Sequence, residues 1–167
     1  RDIRDHVRLL PGRDGEIEWQ RLQAEVYGPA IAGATAAEGA IEFIHRARER
    51  GAELTIVSHK TTLSNLGTET VNLREAAREW LRSNAVLGPQ VVPEANLYFE
   101  DTRAAKIARI ISLRCTHFID DLEEVFDDPA FPSNVERLLF TTAPAIPGNG
   151  YRSYASFYEI ADALTAD

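Results

Sequence analysis

Several residue types are scarce in this chain, and each scarcity excludes a class of protein. Methionine is absent, and Cys115 is the only cysteine, which excludes an internal disulfide and a multi-cysteine zinc site. No apolar run approaches the roughly 20 residues of a membrane-spanning helix, and no signal peptide is visible. These absences predict a cytoplasmic protein that does not associate with membranes.

Positive charge is also scarce. The chain has 18 basic and 26 acidic residues, a net charge of -8, which disfavours binding to duplex nucleic acid because a phosphate footprint needs a basic patch. Its 167 residues, 44% of them hydrophobic, suffice for a single domain with a proper core. Because position 1 is not methionine and the chain opens inside a charged helical pattern, we expect the native protein to carry residues before Arg1.

The order of apolar segments predicts the fold class. Four short apolar runs, at 54–57, 97–99, 117–119 and 135–140, are candidate strands. The first is β-branched and does not alternate with polar residues, as is typical of a strand covered on both faces. Amphipathic helical patterns separate the runs, and such alternation predicts an α/β fold with a doubly wound parallel sheet.

Helix signals complete this pattern. Two helices are predicted at 1–10 and 16–27, and a third amphipathic helix begins at Asn72. Capping boxes at 35–38 and 156–159 predict two further helix starts, and Ile107, Ile110 and Ile111 are expected to face inward from a helix capped by residue 101 or 102. Residues 63–70 are predicted to form a loop.

Polar residues that could carry chemistry cluster near the predicted strand ends. The carboxyl ends of parallel strands share one edge of a sheet, so residues far apart in sequence can meet there. Each has a simpler interpretation as a turn serine, a solvated lysine or a helix-capping acid. The candidates are Ser58, His59, Lys60, Lys106, Asp120 and Asp121.

Two of these candidates are adjacent acids. Asp120 and Asp121 follow a short apolar run, and like charges this close remain ionised together only when a cation lies near them. Their hard oxygen ligands suit Mg²⁺ better than zinc.

His59 and Lys60 follow the first strand and are candidates for contact with a substrate.

Three segments together resemble a known superfamily. They are similar, in order and spacing, to the second, third and fourth motifs of the haloacid dehalogenase-like hydrolases. The three segments are VSHKT at 57–61, TRAAK at 102–106 and THFIDD at 116–121. The residues of these three motifs are similar to those of a poorly characterised bacterial subgroup of that superfamily. The likeness covers about residues 1–140.

The resemblance implies a Mg²⁺-dependent phosphatase that acts on a small phosphorylated metabolite. Ser58 would donate a hydrogen bond to a phosphoryl oxygen, and Lys106 would neutralise the charge of the phosphate and of the nucleophile. Asp121 would hold Mg²⁺, with Asp120 binding it through water or orienting the site. The implied architecture is Rossmann-like, with a small helical cap at 1–34 and the α/β core at 35–167.

One motif of the superfamily has no counterpart here. Its first motif is a strand followed by Asp-x-Asp, whose first aspartate forms an aspartyl-phosphate. The resemblance places that strand at the centre of the sheet, between the strands at 54–57 and 117–119, and an unfilled gap there is untenable in water. We therefore expect roughly twenty to thirty residues before Arg1, enough for this strand and the start of the cap.

Two other functions remain open from the sequence. A non-catalytic binding or interaction domain could keep the fold without the nucleophile. A receiver-type phosphoacceptor domain also uses paired acids, a hydroxyl and a lysine, but such domains place the acid pair near the start of the chain. The residues leave substrate identity and oligomeric state open.

Overall fold

The computed structural model describes residues 2–9, 12, 14–62, 71–143 and 148–164. The chain divides into two compact units, one formed by residues 1–35 with 60–84 and the other by residues 36–59 with 85–167. Across the described residues, no helix combines the length and apolar character that crossing a membrane requires. The predicted loop at 63–70 lies outside the described residues.

Helices and strands follow one another through most of the described chain. The α-helices are α1 (Asp2–Arg8), α2 (Gly15–Tyr27), α3 (Ala40–Glu49), α4 (Leu73–Ser83), α5 (Arg103–Leu113), α6 (Glu123–Phe126) and α7 (Phe157–Ala163), and short 3-10 helices cover Pro29–Gly33 and Glu94–Asn96. The strands are β1 (Ile56–His59), β2 (Leu97–Glu100), β3 (His117–Asp120), β4 (Glu136–Phe140) and β5 (Arg152–Tyr154).

The first unit is helical. Asp14 caps α2 by accepting hydrogen bonds from two backbone amides, and Asn72 caps α4 in the same way, as its position before the amphipathic stretch predicted. Helix α4 packs against α2 and the Pro29–Gly33 helix, where Trp80 Nε1 donates a 2.9 Å hydrogen bond to the Ala34 carbonyl. The two predicted N-terminal helices are confirmed as α1 and α2.

The second unit contains parallel strands in two sheets. Strands β1 and β2 form one pair, and β3, β4 and β5 form the other sheet in that order. A mixed α/β fold with parallel strands is therefore confirmed, whereas the described pairings do not join into a single sheet. Strand β5 was not predicted, because Arg152–Tyr154 is short and lacks an apolar pattern.

Strand β1 begins two residues later than predicted. It covers Ile56–His59 rather than 54–57, so Ser58 and His59 are its last two residues instead of following it. Strand β3 likewise extends one residue further than predicted and includes Asp120. These shifts place Ser58, His59 and Asp120 within the last residues of their strands.

The capping box predicted at 35–38 is wrong. Helix α3 begins at Ala40 behind Gly39, which has a left-handed φ of +76° and gives no side-chain cap. A Cβ on Gly39 would lie 3.1 Å from the Tyr158 ring, and the Glu38 carbonyl accepts a hydrogen bond from the Phe157 amide. The segment before α3 therefore packs against the start of α7, and this tertiary contact overrides the local capping signal.

The second capping box is confirmed. Ser156 Oγ accepts a hydrogen bond from the Glu159 amide, and the Glu159 carboxylate accepts one from the Ala155 amide. Helix α7 starts directly after Ser156 and buries Ile160 completely.

Helix α5 connects the two sheets through its buried face. It packs against β1 and β2, while Ile107 and Ile110 enter the core formed with residues that follow β3. These two side chains are 1% and 0% exposed, and burial of each contributes roughly 1.5–3 kcal/mol. Ile111 was expected to face inward as well but is 50% exposed, because one further residue turns it about 100° around the helix.

Candidate functional site

The clearest polar feature of the second unit is a buried ion pair. Thr102 caps α5 by accepting a hydrogen bond from the Ala105 amide, which fixes the first turn of the helix. From that turn, Lys106 extends to β3, where its Nζ lies 2.5 Å from Asp120 Oδ2. Lys106 is 7% exposed and Asp120 is 8% exposed, so each charge depends on the other for compensation.

The Asp120 carboxylate is held at both oxygens. While Oδ2 meets Lys106, Oδ1 accepts a 3.1 Å hydrogen bond from the Leu122 amide. Phe118 lies two residues earlier and therefore shares a face of β3 with Asp120. Its ring centroid is 5.5 Å from Lys106 Nζ. Asp120 thus fixes the position of the lysine ammonium group.

Asp121 differs from its neighbour. It follows the last residue of β3 and is exposed. Even so, partial burial of the carboxyl raises its pKa above the usual range, and the adjacent charge of Asp120 raises this pKa further. The two acids of the pair therefore have different roles, one compensated internally and one at the surface.

Ser58 lies near the carboxyl end of β1. It is half-buried and stands opposite Phe99 of β2 in the parallel register. Helix α5, which carries Lys106, packs against the same strand. Ser58, Lys106 and Asp120 therefore belong to one unit and occupy strand ends or the adjoining helix start.

His59 fixes the loop that leads into α5. Its Nε2 lies 3.0 Å from the Asp101 carbonyl oxygen, so the ring donates this hydrogen bond in the tautomer that carries hydrogen on Nε2. Asp101 directly precedes Thr102, the cap of α5. The hydrogen bond links the end of β1 to the start of the helix that carries Lys106, and contact of His59 with a substrate stays a prediction.

Lys60 belongs to the other unit. Its Nζ lies 4.2 Å from the centroid of the Tyr27 ring, at the end of α2, and its carbonyl accepts a 2.8 Å hydrogen bond from Arg74 Nε. Burial lowers the pKa of the Lys60 ammonium. No pattern predicted Tyr27 as the neighbour of Lys60, because the two are 33 positions apart and share no motif.

The opposite end of β3 carries a second set of charges, which we call the amino edge. It consists of His117, Glu136 and Arg152. His117 Nε2 lies 3.2 Å from one oxygen of Glu136, and Arg152 pairs with the other oxygen. All three side chains are exposed by more than a third. We call Lys106, Asp120 and Asp121 the carboxyl edge.

The chemistry of the carboxyl edge suits a hard cation. Its acids offer oxygen ligands, the kind that Mg²⁺ prefers. Among the residues that the structure describes, no three His, Cys, Asp or Glu side chains come together as a complete ligand set. Since Mg²⁺ in proteins usually retains several waters and needs only one or two carboxylates, Asp121 fits as its ligand.

Comparisons with protein-family models, curated proteins and solved structures found no match to this chain.

Proposed function

We propose that the carboxyl edge is part of a Mg²⁺-dependent site for phosphoryl transfer, and that the complete protein is a phosphatase for a small phosphorylated metabolite. The observation that carries this proposal is the buried pair of Lys106 and Asp120 at the end of a parallel strand. A buried ammonium ion held at such an end is oriented for an anion, because ligands of parallel α/β sheets bind beyond the carboxyl ends of the strands.

Each residue would contribute one interaction to the reaction. An ammonium group has three N–H donors, so Lys106 can keep its hydrogen bond to Asp120 and still donate to a phosphoryl oxygen. The Ser58 hydroxyl would donate to another phosphoryl oxygen. Asp121 would hold Mg²⁺, which supplies positive charge against the phosphate oxygens. These groups would stabilise charge that develops during transfer with little rearrangement, because Ser58 lies on β1, Lys106 on α5 and Asp121 directly after β3.

The nucleophile would come from one additional strand. Among the described residues, β1 pairs only with β2 and β3 pairs only with β4, so β1 and β3 each keep an unpaired edge. Helix α5 packs against β1 and reaches β3 through Lys106. A parallel strand between β1 and β3 would satisfy both edges and complete a single doubly wound sheet.

That strand would end in the Asp-x-Asp sequence that the resemblance to haloacid dehalogenase-like hydrolases implies. Its first carboxylate would attack phosphorus and displace the alcohol of the phosphate ester. Water would then hydrolyse the aspartyl-phosphate and release inorganic phosphate. Lys106 and Ser58 would bind the phosphoryl oxygens through both steps, while Asp121 would hold Mg²⁺.

The test is a phosphatase assay on a chain extended before Arg1 by an apolar strand that ends in Asp-x-Asp. Against a panel of small phosphate esters, we expect turnover that requires Mg²⁺ and disappears with EDTA. The matched control carries Asn-x-Asn at the same positions and should be inactive. Equal turnover by the two extended chains, or full activity after Asp121→Asn, would refute the proposed site.

A non-catalytic binding domain is the second candidate. The observation that favours it is the internal compensation of Lys106 and Asp120, since this pair needs no ligand to balance its charges. In this case the extended chain would bind phosphate or Mg²⁺, measured by calorimetry, without turning over any ester. Binding with turnover would favour the phosphatase.

A further inference from the structure

A cavity lies where strands β4 and β5 begin. Residues 133, 135–137 and 150–152 line it, and its volume is about 650 Å³. Pockets that bind small molecules span roughly 300–1,000 Å³, so this cavity has room for a small organic ligand. Because β3, β4 and β5 run parallel, the cavity lies at the opposite end of this sheet from the carboxyl edge.

Arg137 distinguishes this cavity from the rest of the surface. It is half-buried, yet among the described residues no carboxylate forms an ion pair with it. Its Nη1 donates a 3.1 Å hydrogen bond to the Phe126 carbonyl, and its guanidinium carbon lies 5.0 Å from the centroid of the Phe131 ring. These contacts hold the group in place, but neither partner carries a full negative charge. Since charges removed from water are usually paired, Arg137 retains the capacity to bind an anion.

The guanidinium group can be reached from the cavity. A Cβ atom placed on Gly150 would meet nothing within 4 Å beyond its chain neighbours except Arg137 Nη1, at 4.0 Å, so the space between these two residues is open. A guanidinium has five N–H donors, of which the Phe126 carbonyl takes one. Its planar fork matches the two oxygens of a carboxylate.

The other lining residues suit an anion with an apolar body. The Tyr151 hydroxyl accepts a 2.8 Å hydrogen bond from Asn149 Nδ2, so its own hydrogen is left for another acceptor. Val135 is 5% exposed and gives the lining an apolar part. Glu136 and Arg152 pair with each other, so their charges largely cancel. The cavity therefore has one uncompensated positive charge.

We propose that this cavity binds a small organic monocarboxylate, whose carboxylate pairs with Arg137 and whose carbon body lies against Val135 and Tyr151. A single negative charge balances the single uncompensated positive charge. A phosphate dianion would leave excess negative charge beside Glu136, which disfavours it. The inference lies within the second unit and does not depend on the phosphatase proposal.

The test is a titration with benzoate, a carboxylate on a small apolar ring, at pH 7. Benzamide is the matched control, because it keeps the ring and the shape but is neutral. In the ¹⁵N-labelled chain, we expect benzoate to shift the amide signals of residues 135–137 and 150–152 to saturation, and benzamide to leave them almost unchanged. Equal responses to the two compounds, or no saturable shift at these residues, would overturn the proposal.

A pair of arginine variants tests the assignment to Arg137. Arg137→Gln removes the charged fork and should weaken benzoate binding about tenfold or more, because hydrogen bonds to charged groups are among the stronger ones. Arg50 is exposed and belongs to the same unit, so Arg50→Gln makes the same change in net charge elsewhere and should leave the affinity within about twofold. Equal losses in the two variants would show that benzoate responds only to net charge.

Glu136→Gln provides a test of opposite sign. It removes the negative charge that lines the cavity and releases Arg152, so benzoate should bind about threefold more tightly. Circular dichroism shows whether each variant folds, and Glu136→Gln decides the question if Arg137→Gln does not. Unchanged or weaker binding by folded Glu136→Gln would contradict the proposed site.

Discussion

The two ends of β3 carry ion pairs of opposite character. At the carboxyl edge, the side chains of Lys106 and Asp120 are 9% and 4% exposed, and a backbone amide completes the carboxylate's hydrogen bonds. At the amino edge, His117, Glu136 and Arg152 meet with side chains that are 38–47% exposed. The same strand, four residues long, therefore places one set of charges in the core and the other in solvent.

This difference in exposure determines how much each set of charges can contribute to the stability of the fold. Exposed ion pairs contribute little to the stability of a fold, because water and salt screen their attraction. A buried pair pays a desolvation cost that its own attraction often fails to offset, so apolar residues of similar size would stabilise the core as well or better. Stability therefore gives little reason for the pair at the carboxyl edge. The proposed role, in which Asp120 orients the Lys106 ammonium group for an anion, would give a better one.

The largest expected effect follows from removing one partner of the buried pair. Asp120→Ala leaves the Lys106 ammonium buried without compensation, so the free energy of unfolding should fall by about 3–5 kcal/mol. Urea denaturation measures this change. The control is Asp120→Leu combined with Lys106→Met, which removes both charges and should cost less than Asp120→Ala. A double variant that loses more than the single one would show that the pair stabilises the fold.

Substitution of Asp121 should have a smaller effect on stability, and one of opposite sign. In buffer without metal, Asp121→Asn should raise the midpoint of thermal unfolding at pH 7, because the raised pKa of Asp121 means that its ionised form destabilises the folded chain. The destabilisation is present in full above the folded-state pKa. As the pH falls through that pKa to the ordinary value for aspartate, the original chain regains this stability and the two midpoints converge. A difference that is independent of pH would contradict this origin.

Added Mg²⁺ should give the original chain a higher unfolding midpoint than Asp121→Asn, the reverse of the order expected without metal. Binding to the folded state stabilises it by mass action, so Mg²⁺ should raise the unfolding midpoint of the original chain. Asp121→Asn removes the proposed ligand and should lose most of this increase. Glu136→Gln, at the amino edge, should retain it. Equal responses to Mg²⁺ in all three chains would indicate nonspecific binding to the acidic surface.

The smallest effect belongs to the amino edge. Glu136→Gln breaks its contacts with His117 and Arg152, yet the free energy of unfolding should change by only about 0–1 kcal/mol, because all three side chains remain hydrated. Urea denaturation at low and high salt is the measurement. A loss as large as that of Asp120→Ala would remove the contrast between the two ends of β3.

Much of the fold could be predicted from sequence patterns. Helices α1, α2, α4, α5 and α7 correspond to helical patterns with recognisable starts or ends, and strands β1 to β4 correspond to short apolar runs. The failures have tertiary causes. The capping signal at 35–38 gave way to packing of Gly39 against Tyr158, and β5 exists through its pairing with β4. Local sequence contains neither interaction.

The candidate site was predictable in position but not in its contacts. The pattern placed Ser58 and the two acids near strand ends and Lys106 near the start of a helix, and the structure has them there. It could not assign different roles to Asp120 and Asp121, since that depends on which carboxylate turns towards α5. Alternation along β3 offered one usable signal, because Phe118 and Asp120 share the face that meets Lys106.

The most direct test of the account is paramagnetic broadening by Mn²⁺, which accepts the same oxygen ligands as Mg²⁺. In a ¹⁵N-labelled chain, we predict that the amide signals of Ser58, Lys106 and Asp121 broaden together at lower Mn²⁺ than those of His117 and Glu136, and that Asp121→Asn abolishes this preference. If the amino edge broadens first, or if Ser58 and Asp121 respond at different Mn²⁺ concentrations, the carboxyl edge is not a common metal and phosphate site.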